Sequence, residues 1–245
     1  MTAGEVRIAQ LYDVFNARDF DRFMAMLAPD VAWPDETEDR VLSGREAVRV
    51  YLLETTAPLI ARYVPIAFHE ATDGRVATLA RQVITSAADG SLWSSTRVLH
   101  RWTLRDGLIA RLEAQQNCPD LVFPGVDALL ARLMAALNAG DVEGVLACYS
   151  PRARFIDSFE DGVIEGEAEL RAHLVHLFKT IRLEMVLVGY ALEADDRVRT
   201  RLRVEARGPG GGLWQDDTIT IWYRLEGGLI VEQDIDDSGR DGNGP

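Results

Sequence analysis

The stretch LYDVFNARDFDRFMAMLAPDVAWPDETEDRVLSG (residues 11–44) returns without a gap as LMAALNAGDVEGVLACYSPRARFIDSFEDGVIEG (133–166), 122 residues later. Asn16-Ala17-x-Asp19 falls on Asn138-Ala139-x-Asp141, Pro29 on Pro151, and Gly44 on Gly166. Asp35, Glu38 and Asp39 recur as Asp157, Glu160 and Asp161, so an acid follows an aromatic residue twice at a fixed distance. Past a Gly-rich turn the spacing becomes 121, where GSLW (90–93) meets GGLW (211–214) and LRDGLI (104–109) meets LEGGLI (225–230). A repeat of this length is a domain rather than a solenoid unit. The join falls near NCPDLVFPG (117–125), where two prolines and a glycine punctuate the chain. The expected organisation is one domain at 1–120, a second at 121–238, and a polar, Gly-rich tail at 239–245 that reads as disordered.

Each unit reads as helices first and sheet second. Ile8, Leu11, Tyr12 and Phe15 have the i, i+3, i+4, i+7 spacing of one helix face. A second short helix covers Asp21 to Leu27 and stops near Pro29, and Ser43-x-x-Glu46 has the form of a capping box that opens a third. Strands are predicted near 64–71, 75–87, 93–105 and 108–117, separated by Asp73-Gly74, Asp89-Gly90 and Asp106-Gly107. Helices grouped ahead of hairpin-linked strands indicate an α+β fold, with helices packed on one face of a curved antiparallel sheet.

Composition narrows the function classes. An apolar share of 47% with 27% charged residues is that of a soluble globular protein. No apolar run reaches the length of a membrane span, and MTAGEVRIAQ lacks the pattern of a signal peptide, so the expected location is the cytoplasm. The net charge of −13 would repel phosphates, which argues against nucleic-acid or membrane partners. Cys118 and Cys148 stand without a CxxC or Cys/His grouping, and His173 and His176 lack a third ligand, so no metal is expected. GPGGG (208–212) sits in a hairpin rather than ahead of a helix, and no nucleotide cofactor is expected either.

The order of NAxD, short helix, Pro-Asp, aromatic-x-Asp, Gly-started helix and a strand meander ending in DGLI resembles the nuclear transport factor 2-like fold. Within it, the chain resembles ketosteroid isomerase and SnoaL-type polyketide cyclases, and LNAGDVEGVLACYSPRARFID (137–157) is especially similar to the isomerase pattern. The resemblance spans nearly all of both halves. It implies two cone-shaped domains, each enclosing an apolar pocket, paired as a pseudo-dimer within one chain and open to further homo-oligomerisation. It also implies a cofactor-independent enzyme that isomerises, cyclises or dehydrates a small, largely apolar, oxygenated molecule.

In isomerase-like members the acid just after the second helix is the proton-shuttling base, a position that falls on Asp35 and Asp157. A carboxylate beside Trp33 and Pro34 is partly desolvated, which suits proton transfer; a residue that merely caps or turns the chain is the alternative. In TRVLHRWTL (96–104), Val98, His100, Trp102 and Leu104 share one strand face while Arg97, Arg101 and Arg105 share the other. His100 therefore points to the apolar side, close to where the isomerase places its second acid group, and is a candidate donor or general acid. The isomerase's tyrosine falls at Leu11, with Tyr12 one residue along. Tyr12, Trp33 and Trp102 are the expected pocket walls in the first half, Tyr190 and Tyr223 in the second.

The second half has Ile221 where the first has His100. Its own candidate is Glu184, 27 residues after Asp157, a spacing that resembles the carboxylate pair of epoxide-opening polyether cyclases. Leu183, Met185 and Leu187 claim one strand face there and Val186, Val188 and Tyr190 the other, so a solvated place at the start of the strand is the alternative. Arg203-x-Glu205 with Asp234 and Asp236 weakly resembles limonene-type epoxide hydrolases, against a plain cross-strand ion-pair ladder. Two further readings therefore stand beside the isomerase-like one: epoxide opening or hydrolysis by Asp157 and Glu184, and a non-catalytic ligand-binding or dimerisation module.

Overall fold

Thr2 and Glu5 cap each other's backbone N–H groups and so start α1 (Ala3–Asn16), along which Ile8, Leu11, Tyr12 and Phe15 are all buried. Asp19 then accepts from the Arg22 N–H and starts α2 (Phe20–Met26). The chain passes directly into β1 (Leu27–Asp35), doubles back as β2 (Arg40–Ser43), and enters α3 (Arg45–Thr55). A meander follows: β3 (Leu59–Glu70), β4 (Val76–Ser86), β5 (Leu92–Arg105) and β6 (Leu108–Gln115). The computed structural model describes residues 1–35, 38–55, 57–116, 118, 122–157 and 162–235; the expected tail at 239–245 lies outside them.

The sheet order is β2-β1-β6-β5-β4-β3. The four meander strands pair antiparallel, as expected, whereas β1 pairs with β6 in parallel, Leu27 opposite Ile109. Sequence reading did not place β1 or β2. Pro29 and Pro34 disguise β1, and no turn signal separates it from the helix before it. The Asp106-Gly107 turn has both central residues at positive φ, 53° and 72°, which matches the twist of a two-residue hairpin.

The second unit repeats the order: α4 (Pro124–Ala139), α5 (Val142–Leu146), β7 (Tyr149–Asp157), β8 (Gly162–Glu165) and α6 (Glu167–Thr180), then β9 (Arg182–Leu192), β10 (Arg197–Arg207), β11 (Leu213–Glu226) and β12 (Leu229–Ile235). Its sheet order is β8-β7-β12-β11-β10-β9, with β12 and β7 parallel. The chain divides into two compact units, Met1–Pro119 and Asp120–Pro245. Among the described residues no helix is long and apolar enough to cross a membrane.

The repeated motif residues do the same work in each unit. Asn16 ends α1 and grips both backbone groups of Tyr63, Nδ2 donating to its carbonyl at 2.7 Å and Oδ1 accepting from its N–H at 2.9 Å. Asn138 holds Met185 in the same way at 3.0 and 2.7 Å. The Asp of each NAxD caps the next helix. Gly44, at φ +87°, donates to the Val31 carbonyl, and a Cβ there would approach the Pro29 carbonyl to 3.3 Å. Its carbonyl accepts from Val48 N–H, so α3 opens on Gly44 rather than on the expected Ser43.

Candidate active site

In the first unit α1, α2 and α3 lie over the inward face of the sheet and leave a cavity of about 220 Å³. Its wall is mainly apolar and aromatic, with Phe15, Phe23, Trp33 and Trp102 contributing rings. Polar groups enter from Tyr12 on α1, Tyr63 on β3, Gln82 on β4 and His100 on β5. Strand alternation puts them there. Tyr63 pairs with Gln82 across β3 and β4, and His100 lies opposite Ala114 of β6, another residue of the wall.

Tyr12 and His100 form the chemical centre of this cavity. The Tyr12 hydroxyl lies 2.7 Å from Nδ1 of His100, and their rings stack with centroids 6.0 Å apart and 9° between planes. Trp102 meets both rings edge-on, and Tyr63 lies 5.3 Å from the His100 ring. His100 is only 4% exposed, and burial lowers its pKa to about 4, so the imidazole is neutral at pH 7. Burial also pushes Tyr12 well above its usual 10, opposed by the nearby Thr78 hydroxyl and Trp102 indole. Neither of those two buried groups completes a hydrogen bond of normal geometry. The indole N–H can only donate, so a phenol oxygen facing it is best placed to send its own proton to Nδ1. That leaves Nε2–H as the imidazole's donor.

Asp35 is 3% exposed and shares the inward face of β1 with Val31 and Trp33. The cavity wall takes Trp33 and Pro34, and Asp35 continues the strand beyond them. Its carboxylate is not alone: Arg40 Nε donates to Oδ2 at 3.0 Å, and the Glu38 N–H donates to Oδ1 at 3.3 Å. The Arg40 side chain is more than half exposed and also reaches Glu38 at 3.0 Å. The carboxylate expected to be partly desolvated is thus buried and paired with a largely exposed Arg40.

A SnoaL-like domain model matches the chain at residues 8–112 and again at 130–233. The chain belongs to the SnoaL-like family. Among solved structures, similar ones include an NTF2-like protein of unknown function from Burkholderia pseudomallei (22% identity, TM-score 0.43, 48% of this chain and 92% of that one). A candidate polyketide cyclase from Pseudomonas putida has 23% identity and a TM-score of 0.43 over 48% of this chain and 92% of its own. The Δ5-3-ketosteroid isomerase of a Mycobacterium species has 20% identity and a TM-score of 0.41 over 46% and 92%. No curated protein sequence matches this one.

The second SnoaL-like unit keeps the fold and changes the lining. Where the first has Tyr12, Tyr63, Gln82 and His100, the repeat has Met134, Met185, Val204 and Ile221, all buried. Thr78 has its counterpart in Thr200, whose hydroxyl donates to the Ile221 carbonyl at 2.9 Å. Tyr223 stands at the Trp102 position and is 1% exposed, with its pKa raised by burial. Tyr190 is half-buried, its phenol pKa raised by burial and by Asp127 at the start of α4.

Of the expected carboxylate pair, only the Glu184 side chain lies among the described residues. Glu184 sits on the exposed face of β9, opposite Glu205, while its neighbour Met185 is the residue turned inward. Period-two alternation decides this: the Asn138 clamp fixes Met185, so Glu184 faces out. The side chain of Asp157 lies outside the described residues. Arg203 pairs with Asp216 and Arg154 with Asp234 and Glu232 across strands, as the ion-pair ladder reading expects, while Arg207 pairs with Glu205 on its own strand.

Tyr63 and Gln82 were not picked out in the sequence. Their signal lay in the repeat itself, as polar residues at inward positions where the other copy carries Met and Val. On the arginine-bearing face of β5, Arg97 is 7% exposed, and its Nη1 donates to the Cys118 carbonyl at 3.3 Å.

Proposed function

We propose that the first SnoaL-like unit is a cofactor-independent acid–base enzyme that isomerises, cyclises or dehydrates a small, largely apolar, oxygenated molecule. The observation that supports this best is the buried, neutral Tyr12–His100 pair on the wall of an otherwise apolar cavity. An apolar cavity of about 150 Å³ holds benzene and drug-sized sites run to about 300–1,000 Å³. The 220 Å³ here suits one substituted ring or a compact bicycle.

In this reading the carbonyl oxygen of the ligand faces Nε2–H of His100, and Asp35 removes a proton from the adjacent carbon. The developing oxyanion strengthens the hydrogen bond from the imidazole, which Tyr12 holds in the donating tautomer. Donors of this kind contribute about 10²–10³ in rate. Asp35 then returns the proton to another carbon, or the enolate closes on a second group or expels a leaving group. Arg40 keeps the carboxylate oriented between steps. The second unit, with four apolar replacements, serves as scaffold.

The Asp35–Arg40 ion pair also favours a second reading, a pocket that binds without turnover, because a cation already engages the base. The test is solvent-deuterium exchange into a bicyclic ketone such as 2-tetralone, followed by NMR against the uncatalysed rate. Catalysed exchange that disappears in Asp35→Asn and survives in Asp157→Asn is the expected result. Binding without exchange supports the pocket-only reading, and loss of exchange in Asp157→Asn alone overturns the assignment to the first unit.

A further inference from the structure

The cavity of the first unit holds a second polar group that chemistry at Tyr12 and His100 does not use. Gln82 is 7% exposed and faces the cavity, and its Nε2 donates to the Tyr63 hydroxyl at 2.8 Å. That bond uses one N–H of the amide and leaves the carbonyl Oε1 able to accept from another partner.

The fold does not require either residue to be polar. At the repeated positions Met185 and Val204 are 7% and 3% exposed in a sheet of the same order, so apolar side chains fill these places. Burying an amide and a phenol in their stead carries a desolvation cost that an apolar pair avoids. Their placement is also rigid. Asn16 fixes both backbone groups of Tyr63, and the Tyr63 ring lies 5.3 Å from His100 and 5.9 Å from Tyr12. Tyr63 and Gln82 therefore lie on the wall of the same cavity as Tyr12 and His100, with Tyr63 directly beside that pair.

We propose that Tyr63 and Gln82 form a specificity subsite that reads a second hydrogen-bonding group on the ligand, a hydroxyl or enol O–H donated to Gln82 Oε1. The ligand class is then a hydroxylated cyclic ketone or its enol, rather than a simple ketone. This rests on the reading of the cavity as a ligand site whose first oxygen lies at Tyr12 and His100.

The experiment is a titration followed by the fluorescence of Trp33 and Trp102 in the cavity wall. The probes are 2-naphthol, which offers one hydroxyl, and the 1,6-, 2,6- and 2,7-dihydroxynaphthalenes. In the wild-type chain at least one diol binds about tenfold tighter than 2-naphthol, the value of one well-made buried hydrogen bond. Gln82→Val and Tyr63→Phe each remove that preference while leaving 2-naphthol within about twofold. His100→Ile weakens all four probes together. A wild type that binds 2-naphthol and the diols equally, or variants that keep the preference, overturns the subsite alone. Failure of all four probes to bind overturns the ligand-site reading along with it.

Discussion

His100 ties the chemistry of the cavity to the stability of the first unit. In the unfolded chain its imidazole takes up a proton below about pH 6.5, whereas in the folded unit burial lowers that value to about 4. Above pH 6.5 both states are neutral and the group contributes nothing to pH dependence. As the pH falls, the unfolded state protonates first, so unfolding is progressively favoured until the folded imidazole protonates too. A fall from 6.5 to about 4 corresponds to about 3 kcal/mol, lost mainly between pH 6.5 and 4.

Many carboxylates titrate in the same range, so the informative quantity is the difference from His100→Ile, which installs the residue found at the repeated position. Urea unfolding at half-unit pH steps from 7 to 4 is expected to show the wild-type midpoint falling toward that of the variant, or below it. The extra fall is on the order of 1–2 M urea. NMR of the His100 ring protons gives an independent reading, with no titration above about pH 5. Parallel stability profiles for the two proteins, or a His100 resonance that titrates near pH 6.5, would refute the claim that this imidazole is held neutral by burial.

Removing the Asn16 side chain with Asn16→Ala deletes two hydrogen bonds to the Tyr63 backbone and should destabilise the first unit by about 2 kcal/mol. Asn138→Ala should do the same to the second, and urea unfolding showing losses under 0.5 kcal/mol would mean the clamp is incidental. Arg40→Gln leaves the Asp35 carboxylate buried beside a neutral amide. A loss of about 1–2 kcal/mol at pH 7 is expected, below the full figure for a buried pair because Arg40 is mostly exposed. An unchanged unfolding midpoint would show that the ion pair contributes nothing.

Much of this architecture was legible because the chain states it twice. The NAxD asparagines, the glycines before α3 and α6, and the hairpin turns recur at fixed spacing since each answers a backbone requirement that either copy must meet. The inward face of β5 followed from alternation alone, which placed His100 and Trp102 correctly. Alternation also ran out at its own limits. It could not tell that β1 is a strand, because two prolines break the pattern, nor that Arg40 would cross from β2 to meet Asp35. Glu184 stood between two apolar sets in the sequence, and only the register fixed by Asn138 turned it outward. Tyr63 and Gln82 stand out only against Met185 and Val204, the buried apolar residues at the repeated positions.

The parallel seam between β1 and β6 gives each unit a direction in time. Leu27 leaves the ribosome long before Ile109, its partner, so β1 waits with one edge open while the whole meander is synthesised. Late, non-local pairings of this kind slow folding and expose strand edges meanwhile. A chain halted anywhere before Leu108 lacks the strand that closes the seam, however complete its helices are. The second unit repeats the arrangement, with Tyr149 waiting for Ile230. Duplication thus copied a closing step as well as a shape, and synthesis must reach the last strand of each half before that half can shut.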